Sequence, residues 1–428
     1  RGGGGDDTFS AGGGDDHLDG GDGSDTYYVS GVVAGGWQTF GGYDTYADSG
    51  SSGVDRIVSV GPGDVDIGLA NGNFQASSGI EQIVNTATNT VNGVVSAARV
   101  RLLGNSAANT LDLRTVALVG GNFRIEAGDG NDTIHGSSAA ETIVAGKGDD
   151  VANGGGGGDT YEVGGNSSSG FQGYDTYADS GTGSGELDRI TVVAATGSEA
   201  VDIGLRSFSS ASGIEQIDAG GTSGRVRLLG DSNANSLNFS GVSLVGANLQ
   251  IDGGSGNDTL IGSAEADNIL GGSGVDQLQG GDGNDTLTGG AGLDLINGGN
   301  GTDTIVLTTL TDAIIGGSSS SPQFEKVSGF TVGEDRFDLA TTPPAGSFKT
   351  LGSVSALTTS AITTLLSTSN FQANGAATFT FGSGASQRTF IAFNDAVAGY
   401  RSGTDAIVEL TTFNYASGFN SLSQISLV

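Results

Sequence analysis

From Gly253 to Val306 the sequence writes nearly the same nine residues six times, G-G-x-G-x-D-x-U-x, where U is apolar. A tandem period this short admits few folds. Each unit can bury its apolar face only against its neighbours, which means a stack of coils rather than a single globular core. Residues 2–28 hold three more copies and residues 127–162 four more, thirteen in all, of which "GSSAAETIV" (136–144) and "GSAEADNIL" (262–270) are degenerate.

One nonapeptide supplies one sizeable apolar side chain, at position U: Leu260, Ile269, Leu278, Leu287, Ile296 and Ile305 in the last block. Burying such a side chain contributes roughly 1.5–3 kcal/mol. Ordering each backbone residue costs roughly 1–2 kcal/mol, with glycine at the upper end because it has most freedom to lose. Hydrogen bonds between coils recover part of the deficit, and a ligand is needed for the rest.

The glycine-rich turn offers the ligand a site. Glycines allow positive φ and let carbonyl oxygens face a shared cleft, and the aspartate adds a charged oxygen. Two nonapeptides make one coil, so equivalent turns recur every 18 residues. A cation would sit between one turn and the turn a coil further on. Coordination by carboxylates and carbonyls suits Ca²⁺, whereas Mg²⁺ prefers a tight octahedron and keeps its water. The candidate metal-binding residues are Asp7, Asp16, Asp25, Asp132, Asp150, Asp159, Asp258, Asp267, Asp276, Asp285, Asp294 and Asp303. Complete pairs are Asp7/Asp25, Asp132/Asp150, Asp258/Asp276, Asp276/Asp294 and Asp285/Asp303. Glu141/Asp159 and Asp267/Asp285 are weaker, because a degenerate turn forms half of each, and they are expected to fill later. Asp16 would form a further site with a repeat upstream of Arg1.

Charge agrees. The 428 residues carry 48 acidic and 16 basic side chains, a net −32. This disfavours nucleic acid and anionic membranes as partners and favours a polyvalent cation. There is no cysteine, which rules out disulfides and thiolate metal sites, and no apolar run of transmembrane length. No signal peptide is visible. Arg1 opens directly into a repeat and the chain lacks methionine, so residues upstream are expected.

A longer period overlies the short one. "GYDTYADSG" stands at 42–50 and again at 173–181, "VDIGL" at 65 and 201, "SGIEQI" at 78 and 212, and "RVRLLG" at 99 and 225, a unit of about 130 residues. Between the nonapeptide blocks, short apolar runs such as "LDL", "VALV" and "FRI", separated by Gly, Asn and Ser, read as solenoid strands. The expected organisation is nonapeptide block 1 over 1–30, a β-solenoid insert over 31–126, block 2 over 127–163, a second insert over 164–252, block 3 over 253–306 and a C-terminal cap over 307–428. The fold class is all-β, a parallel β-roll or β-helix solenoid with calcium-binding turns, closed by a small α+β cap. Within that cap, 353–369 is the plausible helix.

The nonapeptide blocks resemble the RTX family, whose glycine- and aspartate-rich repeats form calcium-loaded parallel β-rolls. The core "RTFIAFNDAVAGY…TDAIVEL" near the end resembles the C-terminal tails of RTX-type surface proteins from cyanobacteria, which implies an uncleaved type I secretion signal. The cap would also cover the open end of the solenoid, and Asp395 and Asp405 flank a loop that could take another ion. On these grounds the expected function is that of a secreted calcium-binding structural protein of the cell surface, not an enzyme, self-assembling as a homo-oligomer into a filament or surface layer. The alternative is the C-terminal export and folding module of a larger secreted enzyme, such as a protease, a lipase or a polysaccharide-modifying enzyme. A glycan-binding adhesin would need an aromatic platform, for which Trp37 and the tyrosines are few.

Other motifs carry little. His17 and His135 have no thiol or second histidine nearby in sequence and read as surface residues. Neither H-E-x-x-H nor G-x-S-x-G occurs. "GGGGGD" lacks the Lys-Ser/Thr of a phosphate loop. "NDT" at 131, 257 and 284 matches a glycosylation sequon but lies inside the turn. Tyr43, Tyr46, Tyr174 and Tyr177 would pack a widened coil or, alternatively, form a subunit contact. Asp44, Asp48, Asp175 and Asp179 beside them could hold further calcium.

Overall fold

The computed structural model describes residues 1–428 except 11, 31–41, 51, 70–73, 92–93, 165–170, 182–185, 194–199, 221, 309–315, 319–320, 340–346 and 402–403. Trp37 lies outside the described residues. The chain divides into two compact units. The first holds residues 1–204, 210–226 and 245–248, and the second holds 205–209, 227–244 and 249–428.

In both units the D-T-U-x part of the nonapeptide becomes a strand, because alternation around U turns one side chain inward and its flanks outward. Thr259–Ile261 shows the short form, with Leu260 buried between half-buried neighbours. Strands followed by a glycine pair run on into it, as in Asn268–Ser273 and Gln277–Asp282. Pairing is parallel and in register with the repeat. Ile269 faces Leu287 and Gly272 faces Gly290, while Leu278 faces Ile296 and Gly281 faces Gly299. All six U residues of the last block are buried, at 2% exposure or less.

The first unit stacks the same way, through blocks and inserts alike. Thr26–Ser30 pairs with Arg56–Val60, which pairs with Gln82–Asn85, which pairs with Ala117–Val119. Across the coil, Phe123–Asp129, Thr142–Lys147, Thr160–Val163, Arg189–Val192 and Gln216–Asp218 form a second parallel ladder. The core is a column of buried residues that includes Ile125, Ile143, Tyr161, Ile190 and Ile217. Tyr46 and Tyr177 belong to this interior. Tyr46 meets Tyr27 edge-on at 5.9 Å and Tyr177 meets Tyr161 at 5.5 Å, so these two tyrosines pack a widened coil.

In the second unit the cap continues the roll. Leu295–Asn300 pairs with Glu325–Ser328, and Thr304–Leu307 with Arg336–Leu339, so both last strands of the nonapeptide block have neighbours. Glu325–Ser328 then pairs with Ala406–Leu410, which leads antiparallel to Arg388–Phe393 and Ala376–Phe381. The helix is shorter than the sequence suggests, Thr359–Leu365, capped by the Thr358 side chain and anchored by buried Ile362. It packs with Phe324, Phe371, Phe379, Phe390 and Ile407 in a compact aromatic core.

Candidate metal centre

The turn aspartates form columns. The backbone N–H of each donates to a carboxylate oxygen of the acid one coil further on. In the second unit the columns run Asn235–Asp258–Asp276–Asp294 and Asp267–Asp285–Asp303–Asp335. In the first they run Asp7–Asp25–Asp55–Glu81, Asp16–Asp44, Asn109–Asp132–Asp150–Asp175 and Glu141–Asp159–Asp188–Glu215. All twelve sequence-derived candidates therefore stand in columns, ten of them buried, with Asp7 half-buried above Asp25. Asp16 is half-buried as well, and its neighbour in the column is Asp44, downstream and outside the nonapeptides.

One carboxylate oxygen of each acid below the head of a column is thus used by the neighbouring coil, and the other decides whether a cation fits. In Asp25, Asp132, Asp150, Asp159, Asp258, Asp276, Asp285 and Asp303, Oδ2 is buried and accepts no hydrogen bond. An acceptor left so in a protein interior costs about 1–3 kcal/mol, and it calls for a ligand. In ten of the thirteen repeats the first position is glycine, which leaves room for one, while alanine stands there at positions 11, 127 and 145. A Cβ added to Gly253 would lie 2.6 Å from Asp258 Oδ2 and 2.6 Å from the carbonyl oxygen of Gly271, the equivalent glycine one coil on. Gly262, Gly271 and Gly280 border the same pair of oxygens around Asp267, Asp276 and Asp285, and Gly2 does so around Asp7. An anionic and a carbonyl oxygen converging on a space kept clear by glycine fit a hard, oxygen-seeking cation. Bound there, calcium would supply positive charge between carboxylates that otherwise repel.

The second glycine of the repeat is needed for its backbone. Gly272 has φ +104, and a side chain there would run into the carbonyl of Gly254. The degenerate turns carry serine at this position, with a clear consequence. Ser263 donates its N–H to Asp267 Oδ2 at 2.6 Å and its hydroxyl reaches the same carboxylate, while the Ser137 N–H and hydroxyl hold Glu141. A protein donor thus engages the oxygen that accepts nothing in the eight acids above, as the Gly12 N–H also does for Asp16, which is why neither acid is among the unpartnered ones.

Electrostatics follow from burial. Desolvation raises Asp258 and Asp132 to about 6 and Asp285 to about 7, with the next carboxylate of the column adding to each. Asp159 is raised furthest of the four, to about 8, by burial and then by the charges of Glu141, Asp188 and Asp179. Without a counter-charge these groups resist ionisation.

Several members of the columns lie outside the nonapeptides: Asp55, Glu81, Asp188, Glu215 and Asp335, together with Asn109 and Asn235. The glycine signature is missing there, but its second half persists as an acid or amide two residues before a buried residue. Asp55 precedes Ile57, Glu81 Ile83, Asn109 Leu111, Asp188 Ile190, Glu215 Ile217, Asn235 Leu237 and Asp335 Phe337, all buried. Searching for an acid or amide two residues before an apolar residue, rather than for glycine, would have found them.

A family model for the RTX calcium-binding nonapeptide repeat, four copies long, matches residues 1–31, 120–139, 135–167, 250–278 and 270–305. The matches cover the three blocks whose turns form the columns. These three blocks are RTX calcium-binding nonapeptide repeats. RTX repeats bind calcium, and the parallel roll described above is the RTX fold. No curated protein gives a significant match to the chain.

Other candidates resolve simply. His17 is exposed and His135 half-buried, each on a strand. The sequon asparagines Asn131, Asn257 and Asn284 use Oδ1 to accept the N–H of Asp149, Val275 and Thr302 one coil on, which explains their place in the turn. The cap loop is closed by its own donors. Asp405 accepts the N–H groups of Asp395 and Arg401, and Asp395 accepts that of Val397 and pairs with the Arg401 guanidinium. All four carboxylate oxygens are engaged, so the expectation of an ion there is not supported.

Proposed function

We propose that this protein is a secreted, calcium-stabilised structural protein of the cell surface, whose copies assemble into an extracellular filament or surface layer. The observation that carries the reading is the set of columns of buried carboxylates, repeated in two near-copies of one unit of about 130 residues. A scaffold of this kind is short of stabilising energy until the cation arrives. Extracellular calcium modules bind at roughly 10⁻⁴–10⁻³ M, far above cytosolic calcium, so the chain would stay loose inside the cell and fold after export, with binding free energy becoming folding free energy. The resemblance of the C-terminal tail to type I secretion signals points the same way. Duplication of a stackable unit favours a structural role over a catalytic one, and a strongly acidic surface allows calcium to bridge copies as well as coils.

Electron microscopy of native material, before and after chelation, tests this. Ordered assemblies that disperse on chelation and re-form with calcium are expected. Monomers under both conditions would refute assembly and favour an export and folding module attached to a larger enzyme.

A further inference from the structure

The columns contain two places that do not follow the nonapeptide rule. Asp25, Asp48 and Asp55 bring carboxylate oxygens within 4.8 Å of one another, and so do Asp159, Asp179 and Asp188. The two trios occupy matching positions in the two copies of the long repeat. Asp25 and Asp159 are turn aspartates, and Asp55 and Asp188 are their column partners, reached after 30 and 29 residues instead of 18. Asp48 and Asp179 are additions. The N–H of Gly20 reaches the carbonyl of Ala47, and that of Gly154 the carbonyl of Ala178. The residue that follows, Asp48 or Asp179, therefore stands where an ordinary coil has the first glycine of its turn. In the ordinary gap that glycine contributes a carbonyl; here a third carboxylate is present.

The trios are more than clusters of acids. Asp25 and Asp159 are completely buried, and Oδ2 of each accepts nothing. Asp179 adds a second such oxygen, its Oδ1, while its other oxygen accepts the N–H of Gly181. Asp48 is held likewise, through the N–H of Gly50. A tyrosine braces each place. The Tyr27 hydroxyl accepts from Gly20 N and donates to Ala47 O, and Tyr161 does the same between Gly154 and Ala178.

We propose that Asp25–Asp48–Asp55 and Asp159–Asp179–Asp188 form a second, tighter class of calcium site, one in each copy of the long repeat, that fills before the nonapeptide turns. Charge count and rigidity of the ligands set calcium affinity in all-oxygen sites. Three carboxylates on a braced backbone exceed the pair of an ordinary gap, and affinity at least about tenfold higher is expected. The inference rests on the calcium reading of the columns but not on assembly.

The test is calorimetric titration of the full chain, stripped of metal, with Ca²⁺. Two tight equivalents followed by a weaker group are expected. Asp48→Asn with Asp179→Asn keeps an oxygen for the Gly50 and Gly181 N–H groups while removing the charge, and should abolish the tight pair and spare the weaker group. A single class of sites in the unaltered chain, or a tight pair that survives both substitutions, overturns the proposal. Should the double variant fail to fold, Tb³⁺ provides a second readout on the unaltered chain. Tyr27 and Tyr161 adjoin the trios, and emission sensitised by tyrosine should rise with the first two equivalents and fall in Tyr27→Phe with Tyr161→Phe. Emission that grows evenly over all equivalents overturns the proposal. Calcium-dependent filaments without a tight pair would sink this inference alone, whereas a chain that binds no calcium would sink the proposed function as well.

Discussion

If buried carboxylates are what the metal-free roll cannot tolerate, protons should substitute for calcium. The second unit allows a magnitude. Asp285 is raised to about 7, and Asp258 and Asp335 to about 6, chiefly by burial, from an ordinary 3.8. A raised folded-state value means that the folded chain holds protons more tightly than the unfolded one. Stability from these groups is therefore fully present below about pH 4 and is lost as pH rises through 6 and 7. Each tenfold gain in proton affinity on folding is worth about 1.4 kcal/mol, so the three together, discounted for screening by solvent at the edge of the roll, withdraw roughly 5 kcal/mol between acid and neutral pH. That reaches the lower end of the whole stability of a typical domain, about 5–15 kcal/mol. Urea unfolding followed by circular dichroism in a chelator should give a clear cooperative transition near about pH 5 and little or none near about pH 7.5. Saturating calcium should reverse the slope, because metal holds the carboxylates ionised and protons then compete with it. Net charge also falls on acidification, so salt is the control: surface repulsion is screened at about 1 M ionic strength, whereas buried columns are not. A metal-free midpoint that is flat, or higher at neutral pH, would refute the reasoning.

Two further outcomes follow from named contacts. Ser263→Gly with Glu265→Gly restores glycine at the second and fourth positions of a degenerate turn and removes the hydroxyl donor from Asp267 while keeping the backbone N–H of residue 263, so calorimetry should count one additional calcium per chain; an unchanged count would show that the hydroxyl is not what weakens this turn. In the cap, Arg388 makes two hydrogen bonds of 2.6 Å to buried Glu409, and Arg388→Ala should cost about 2–4 kcal/mol, read as a lower urea midpoint with calcium present, whereas Arg388→Lys should recover only part of it.

The roll was legible because its period is imposed by geometry. Residues such as Leu278 and Ile296 had to stack one coil apart, and the glycine–aspartate turn had to lie at the edge. Within the inserts the same logic was hidden. Asn109 and Asn235 keep the place of the turn aspartate without its charge, and Asp55 and Asp188 keep the charge without the glycines. The structural reason is that a column needs only an acceptor on each coil and an apolar residue two positions later. Glycines are needed where a carbonyl must turn toward a ligand, so a search for glycine finds ligand turns and overlooks the remaining steps. The weakness of the degenerate turns was legible from their residues, but its cause, occupation of the carboxylate by Ser137 or Ser263, required the hydrogen bonds.

Between Asp7 and Asp25 the chain spends 18 residues to climb one step of its column, and between Asp25 and Asp55 it spends 30 for the same single step. Length and height are thus uncoupled. A coil can take up added sequence without disturbing the rise that keeps oxygen above oxygen. For an engineer this marks those longer steps as places to graft foreign peptides. For evolution it means that the length of a coil can change while the mineral-binding spine stays as it is.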